Sequence, residues 1–97
     1  RRQRQMCIRD RLNKVQELAE NLTPISEMSV LLDIKEDVLR EEILDPASEL
    51  RRVYYLGMAK VRQQIRRNEL ELAAAGSPQA VQRTHEYLNK MIEEIKI

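Results

Sequence analysis

Few side chains of this 97-residue chain have the type and spacing that chemistry requires. His85 and Cys7 are each the only residue of their type, so the sequence lacks the three or four ligands of a zinc site. No glycine-rich loop could bind a phosphate group, and the serines lack a plausible base. Carboxylate pairs such as Glu93-Glu94 fall on predicted helices without an apolar pocket around them. We therefore expect a protein that is not an enzyme and that uses no cofactor and no metal ion.

The basic residues are a stronger indication of a partner. At 100° per residue, Arg51, Arg62 and Arg66 share one flank of a long predicted helix. Arginines on an exposed flank neutralise the phosphates of double-stranded DNA, so these three are the main predicted DNA contacts. The same helix carries further basic residues beyond that flank: Arg52, Lys60 and Arg67.

The first eleven residues, RRQRQMCIRDR, resemble a translated sequencing adapter. The alternative is a natural basic arm that binds nucleic acid. This segment holds five arginines and one aspartate, so the net charge falls from +1 to −3 when it is excluded. We expect that native residues upstream of Leu12 are missing.

The composition of the remaining residues favours helices. The chain has no Trp, no Phe and three Tyr, and its charged residues make up 34% of the total. A chain this short buries only about 60% of its unfolded surface, so one small domain would be marginally stable as a monomer. No apolar run approaches the roughly 18 residues of a membrane span, and no signal peptide is visible. We expect a cytoplasmic protein without a membrane partner.

Apolar periodicity and cap residues predict five helices. Thr23 before Pro24, Asp45 before Pro46, and Ser77 before Pro78 each fit a cap followed by proline at the first helical position. Gly76 suits the left-handed residue that ends a helix. The predicted helices cover residues 12–21, 24–32, 35–44, 46–75 and 78–95.

Residues 27–43, EMSVLLDIKEDVLREEI, have the spacing of a helix-turn-helix. Asp33 stands where glycine is usual, and aspartate tolerates the left-handed conformation better than most residues. The predicted fold is all-α: a helix-turn-helix-like head over residues 12–45, then a long helical hairpin for oligomerisation over residues 46–97. Lys35 and Arg40 are the candidate base contacts, but four acidic residues share their helix, so the indication of DNA binding there is weak.

Charge is distributed unevenly along the chain. Residues 12–45 contain three basic and nine acidic residues, whereas residues 46–76 contain six basic and three acidic ones. DNA could meet the basic helix, or the acidic head of one subunit could dock on the basic helix of a neighbour. A solvated charged surface with no partner is the third interpretation.

Self-association is predicted from the apolar stripes of the last two helices. Gly57 lies inside the apolar stripe of the long helix, where glycine destabilises a helix by about 1 kcal/mol relative to alanine. Glycine here is either a tolerated weak point or a sign that another helix approaches closely. In the last helix, Val81, Leu88 and Ile95 repeat every seven residues, which indicates a short seam that either a second chain or the hairpin partner could cover. The predicted oligomerisation residues are Tyr54, Gly57, Val61, Ile65, Val81, Leu88, Met91, Ile92 and Ile95.

Several short motifs resemble one known family. They are Leu22-Thr23-Pro24, Tyr54-Tyr55-x-Gly57-x-Ala59-Lys60, Ile65-Arg66-Arg67, Leu72-Ala73 and Ala75-Gly76-Ser77-Pro78-x-Ala80. Over residues 22–91 the chain resembles phage small terminase subunits and related prophage proteins. In that family the small subunit is not an enzyme, reads viral DNA through a helix-turn-helix, forms a ring through a helical hairpin, and delivers DNA to a large ATPase and nuclease subunit.

The resemblance implies a homo-oligomeric DNA-packaging adaptor whose partners are itself, double-stranded DNA and a large terminase subunit. It assigns residues 22–44 to DNA reading and residues 46–95 to assembly. The acidic second helix departs from the family pattern and puts base readout by that helix in doubt. Two alternatives are a helix-turn-helix transcription regulator of a mobile element and a structural helical protein without a nucleic-acid partner.

Overall fold

The computed structural model describes residues 7–96 and shows five helices without a strand in that range. This confirms the all-α prediction for the described residues, while residues 1–6 of the predicted adapter lie outside them. The helices are α1 (Ile8–Glu20), α2 (Ile25–Leu32), α3 (Glu36–Leu44), α4 (Glu49–Ala74) and α5 (Pro78–Ile95).

The chain forms two compact units, which we call the amino-terminal unit (up to Val61) and the carboxyl-terminal unit (from Arg62). The sequence predicts a division after residue 45, whereas contacts divide the chain within α4. The reason is that Leu50 and Val53, at the start of α4, are buried in the core of the amino-terminal unit. That core consists of Val15, Leu18, Ala19, Met28, Leu39, Ile43, Leu50 and Val53.

Gly57 marks a close approach between α4 and α1, as its position in the apolar stripe indicated. A Cβ atom at this position would lie 2.5 Å from the carbonyl oxygen of Gln16 and 2.7 Å from Cβ of Ala19. Cβ atoms do not occur at such distances, so only glycine lets the two helices meet here without a shift. Gly57 is therefore buried by its own chain.

Four helix starts differ from the sequence prediction, those of α2 and α3 by a single residue. α1 begins four residues early, at Ile8, and the Cys7 sulfur accepts a hydrogen bond from the Asp10 amide at 3.5 Å. α2 has Pro24 as its N-cap, without a side-chain cap from Thr23.

The prediction that α4 starts at Asp45-Pro46 is wrong. The Asp45 carboxylate accepts from the Ala47 amide at 3.0 Å and so stabilises a turn rather than a helix. The Ser48 hydroxyl accepts from the amides of Leu50 and Arg51 at 3.0 and 3.3 Å, which makes Ser48 the cap of α4.

Two residues other than glycine adopt the left-handed conformation at helix ends. Asp33 (φ 58°, ψ 46°) ends α2, and the Ile34 amide donates to the Ser29 carbonyl at 3.0 Å. Leu22 (φ 62°) follows α1, and the Thr23 amide donates to the Leu18 carbonyl at 3.0 Å. Both are Schellman-type ends, and leucine is an unfavourable residue for this conformation.

In the carboxyl-terminal unit the local signals act as predicted. Gly76 has a φ of 101°, and the Ser77 amide donates to the Leu72 carbonyl at 3.1 Å. The Ser77 hydroxyl accepts from the Ala80 amide at 3.3 Å, with Pro78 as the first residue of α5. Arg83 Nε lies 3.1 Å from a Glu69 carboxylate oxygen, so α5 contacts the distal part of α4 through this ion pair.

Candidate functional site

The helix α3, which held the candidate base contacts, presents little free positive charge. Arg40 donates to the Glu36 carboxylate at 2.6 Å, and both side chains are about half exposed. Lys35 is exposed at the N-cap of α3, next to the acidic first turn. An anionic surface of this kind repels DNA phosphates.

Arg51, a main predicted DNA contact, forms contacts with other residues of the amino-terminal unit. Its guanidinium donates to the Ile43 carbonyl at 3.0 Å and lies 4.7 Å from the centre of the Tyr55 ring. A cation at the carboxyl end of α3 offsets the partial negative charge of the helix terminus. Arg51 is half-buried, so its first role is to join α3 to α4.

Two further predicted cations of α4 lie in the amino-terminal unit. Arg52 is exposed and its Nε lies 3.1 Å from the Glu49 carboxylate, one turn earlier in the helix. Lys60 is exposed and belongs to none of the ion pairs found between residues 7 and 96.

The carboxyl-terminal unit holds the remaining predicted cations of α4, and we call Arg62, Arg66 and Arg67 the distal arginines. All three are exposed. Within the described part of the chain none of them forms an ion pair with a carboxylate. Because their guanidinium groups have no competing anion, they are more available to an external phosphate or carboxylate than Arg40, Arg51 or Arg52.

The apolar seam of α5 is largely uncovered. Leu88 is 50% exposed, Met91 64% and Ile95 77%. Between residues 62 and 96, Ala80 is the one buried side chain. The partner helix α4 therefore does not account for the seven-residue repeat, since its members remain in contact with solvent.

Beside this seam a groove runs between the distal part of α4 and α5. Its volume is about 560 Å³, and it is open to solvent along one side. We call it the α4–α5 groove; its lining is Gln63, Arg66, Arg67, Leu70, Thr84, His85, Tyr87, Leu88 and Met91.

The predicted oligomerisation residues fall into two groups. Tyr54 and Gly57 pack against the core of the amino-terminal unit, and Val61 is half-buried, so these three are occupied by their own fold. The others lie in the carboxyl-terminal unit and are exposed: Ile65, Val81, Leu88, Met91, Ile92 and Ile95.

The sequence did not single out two features of the carboxyl-terminal unit. The first is the ion pair of Glu69 with Arg83, in which the second Glu69 carboxylate oxygen is buried without a hydrogen-bond partner among the described residues. The second is Leu70 in the groove. Leu70 falls outside the stripe that contains Ile65 and Leu72, so its helical position gave no signal, and only its place in the groove beside residues of α5 reveals it.

His85 lines the α4–α5 groove and is exposed. Within residues 7–96 no group of three or more His, Cys, Asp or Glu side chains is arranged to hold a metal ion. In the same range, each helix is too short or too polar to cross a membrane. Comparisons with protein-family models, curated proteins and solved structures gave no match.

Proposed function

We propose that this chain is a non-enzymatic adaptor of the small-terminase type, which binds double-stranded DNA as a homo-oligomer during phage DNA packaging. The observation that supports it is that the carboxyl-terminal unit carries two exposed surfaces of different chemistry. Arg62 and Arg66 are exposed without an ion-pair partner among the described residues, and the apolar seam of α5 is uncovered. The first surface suits phosphates, and the second suits another copy.

In this proposal DNA is held by avidity. Arg62 and Arg66 are four residues apart, so they project from the same side of α4 and can reach neighbouring phosphates. Two arginines per subunit give weak binding, and several linked subunits raise the effective concentration of each further contact. Each phosphate neutralised adds about 0.9 to the slope of log affinity against log salt, so binding is strongly salt-dependent.

The proposal assigns no base readout to α3 and no DNA contact to Arg51. The Arg40–Glu36 ion pair and the acidic residues around it oppose an approach of DNA along α3. Arg51 would have to give up its bond to the Ile43 carbonyl before it could reach a phosphate. DNA would therefore be held with little sequence preference by the subunits themselves.

The test is DNA retention by a double variant, Arg62→Gln with Arg66→Gln. A matched control removes two exposed lysines outside α4, Lys90→Gln with Lys96→Gln, which form no ion pair among the described residues, and so changes the net charge equally. We expect the arginine variant to lose retention in an electrophoretic shift assay, with its salt slope reduced by about 1.8 per bound subunit. The control should bind like the parent chain.

Light scattering without DNA checks that both variants keep the mass of the parent assembly. Equal loss of retention in the control would mean that only net charge matters, which contradicts a defined arginine surface. A parent chain that binds no DNA at low salt would exclude the DNA part of the proposal and favour the structural helical protein. Sequence-specific binding abolished by changes at Lys35 and Arg40 would favour the transcription regulator instead.

A further inference from the structure

The α4–α5 groove is bordered by one stripe of side chains from each of its two helices. The α4 stripe has the spacing i, i+3, i+4 and i+7 and consists of Gln63, Arg66, Arg67 and Leu70. The α5 stripe has the same spacing and consists of Thr84, Tyr87, Leu88 and Met91. Side chains at this spacing share one side of a helix, so two ridges border the groove over about two turns. A third helix packs onto a helix pair through ridges of this kind.

The two sides of the groove differ in chemistry. On the α4 side, Arg66 and Arg67 are exposed, and neither forms an ion pair between residues 7 and 96. On the α5 side, Leu88 and Met91 are largely exposed, and Leu70 adds apolar surface beside the arginines. The groove therefore offers cationic groups along one side and apolar surface along the other.

We propose that the α4–α5 groove binds an amphipathic helix with an acidic flank, which a protein partner supplies. The apolar residues of this helix would lie on Leu70, Leu88 and Met91, and its carboxylates would meet Arg66 and Arg67. A guanidinium binds a carboxylate through two parallel hydrogen bonds, so acidic side chains complement these arginines in charge and in geometry. Helices that bind in grooves use anchors at the spacing i, i+3 or i+4, and i+7, which the two ridges also have.

Other ligands would use only part of the groove. DNA phosphates would pair with the arginines but leave the apolar side without a contact. A small amphiphilic anion would touch both sides, yet small-molecule sites bury about 70–90% of their ligand, and this groove is open to solvent along one side. An amphipathic helix suits an open groove, because its polar side remains in water.

Arg66 connects such a partner to DNA binding. In the proposed function Arg62 and Arg66 hold phosphates, and of the two only Arg66 lines the groove. A helix in the groove would engage Arg66 and leave one phosphate contact per subunit, so the partner would weaken the hold on DNA. This coupling rests on the proposed function, whereas the binding of the helix does not. The seam residues Val81, Ile92 and Ile95 do not line the groove and remain for another copy.

A synthetic acidic helix is the probe for the groove. It has about sixteen residues, because shorter peptides are only marginally helical in water, with leucines along one side and glutamates along the adjoining flank. Fluorescence anisotropy of the labelled peptide measures its binding to the full chain. A matched peptide with lysines in place of the glutamates should bind at least about tenfold more weakly. Equal binding of the two peptides, or no binding of the acidic one, would overturn the proposal.

Arg67→Gln and Arg62→Gln form a matched pair of variants. Both arginines are exposed on α4 without an ion-pair partner in the described part of the chain, but only Arg67 lines the groove. We expect Arg67→Gln to weaken binding of the acidic peptide about fivefold and Arg62→Gln to change it less than about twofold. Both variants keep the arginines of residues 1–11, so non-specific attraction is the same. Equal effects would refute a defined groove contact.

Leu70→Ala and Leu72→Ala test the apolar side in the same way. Leu70 is 59% exposed and Leu72 53%, and only Leu70 lines the groove. Burial of Leu70 under the peptide predicts about fivefold weaker binding for Leu70→Ala, and less than about twofold for Leu72→Ala. Circular dichroism verifies that each variant keeps the helix content of the parent. Equal losses would show that the peptide lies on another face and would overturn the proposal.

Competition assays separate this proposal from the proposed function. With the acidic peptide at saturation, DNA should bind more weakly, and its salt slope should fall by about 0.9 per bound subunit. Undiminished DNA binding under these conditions would refute the coupling through Arg66. A chain that binds the peptide but no DNA keeps the groove assignment and refutes the DNA part of the proposed function. A chain that binds DNA but not the peptide refutes the groove assignment alone. Displacement of the peptide by laurate would identify a site for small amphiphiles and overturn the helix.

Discussion

The contact of Gly57 with α1 leads to a quantitative prediction for Gly57→Ala. In an open helix position this change would stabilise the protein by about 1 kcal/mol, because alanine is the better helix former. Here the new Cβ atom would lie 2.5 Å from the Gln16 carbonyl oxygen and 2.7 Å from Cβ of Ala19. The carbonyl oxygen belongs to the backbone of α1, so it can move only if the helix moves.

Overpacking of this kind costs about 1–3 kcal/mol, and the two short distances place Gly57→Ala at the upper end of that range. After subtraction of the helix propensity gain, we expect the free energy of unfolding to fall by about 2 kcal/mol. For a domain of this size that corresponds to a decrease in Tm of roughly 8–16 °C. Thermal and urea denaturation followed by circular dichroism would measure both quantities.

Ala59→Gly provides the calibration for this measurement. Ala59 is exposed in the same helix, so the change reports helix propensity without a packing contribution, at about 1 kcal/mol of destabilisation. The reasoning would be refuted if Gly57→Ala raised the Tm by the amount that Ala59→Gly lowers it. A destabilisation that grows with protein concentration would also contradict it, since Gly57 would then face a second copy instead of α1.

Two other substitutions test the local structure of the amino-terminal unit. Leu22→Gly should stabilise the protein by about 0.5–1 kcal/mol, because glycine removes the strain of the left-handed conformation. The higher conformational entropy of glycine in the unfolded chain offsets part of this gain. Leu22→Ala is the control, and an equal effect of both would exclude the backbone explanation. Arg51→Met should destabilise by about 1–2 kcal/mol through loss of the Ile43 hydrogen bond and the Tyr55 contact, with DNA retention unchanged below the Tm. A shift below about 0.5 kcal/mol, the range expected for the exposed pair at Arg52, would show that these contacts do not stabilise the unit.

The parts of the fold that follow from neighbouring residues were predictable. Gly76, Ser77 and Pro78 act within a few residues of each other, so the sequence alone predicted the observed bounds of α5. The Asp45-Pro46 signal gave a wrong start for α4, although it too acts within a few residues. The Asp45 carboxylate can cap a helix or stabilise a turn, and the nearby Ser48 hydroxyl took the cap position.

The candidate site was predictable only in part, because helical spacing identifies a flank but not what meets it. Arg51 and Arg62 share a flank in the sequence, yet Arg51 is engaged by the Ile43 carbonyl, which comes from another helix. Gly57 indicated a close contact with another helix. Periodicity does not show whether that helix is α1 of the same chain or belongs to a second chain. These distinctions depend on tertiary packing, which one sequence does not contain.

Ala80 has a consequence for the lifetime of a single copy. Because it is the one buried side chain between residues 62 and 96, little apolar surface opposes local opening of that unit. Proteases cleave opened chains, so an unassembled copy would be degraded from its carboxyl-terminal end before the amino-terminal core is reached. Association would close this route by mass action. In the proposed assembly, a single copy would therefore have a shorter lifetime than an assembled one.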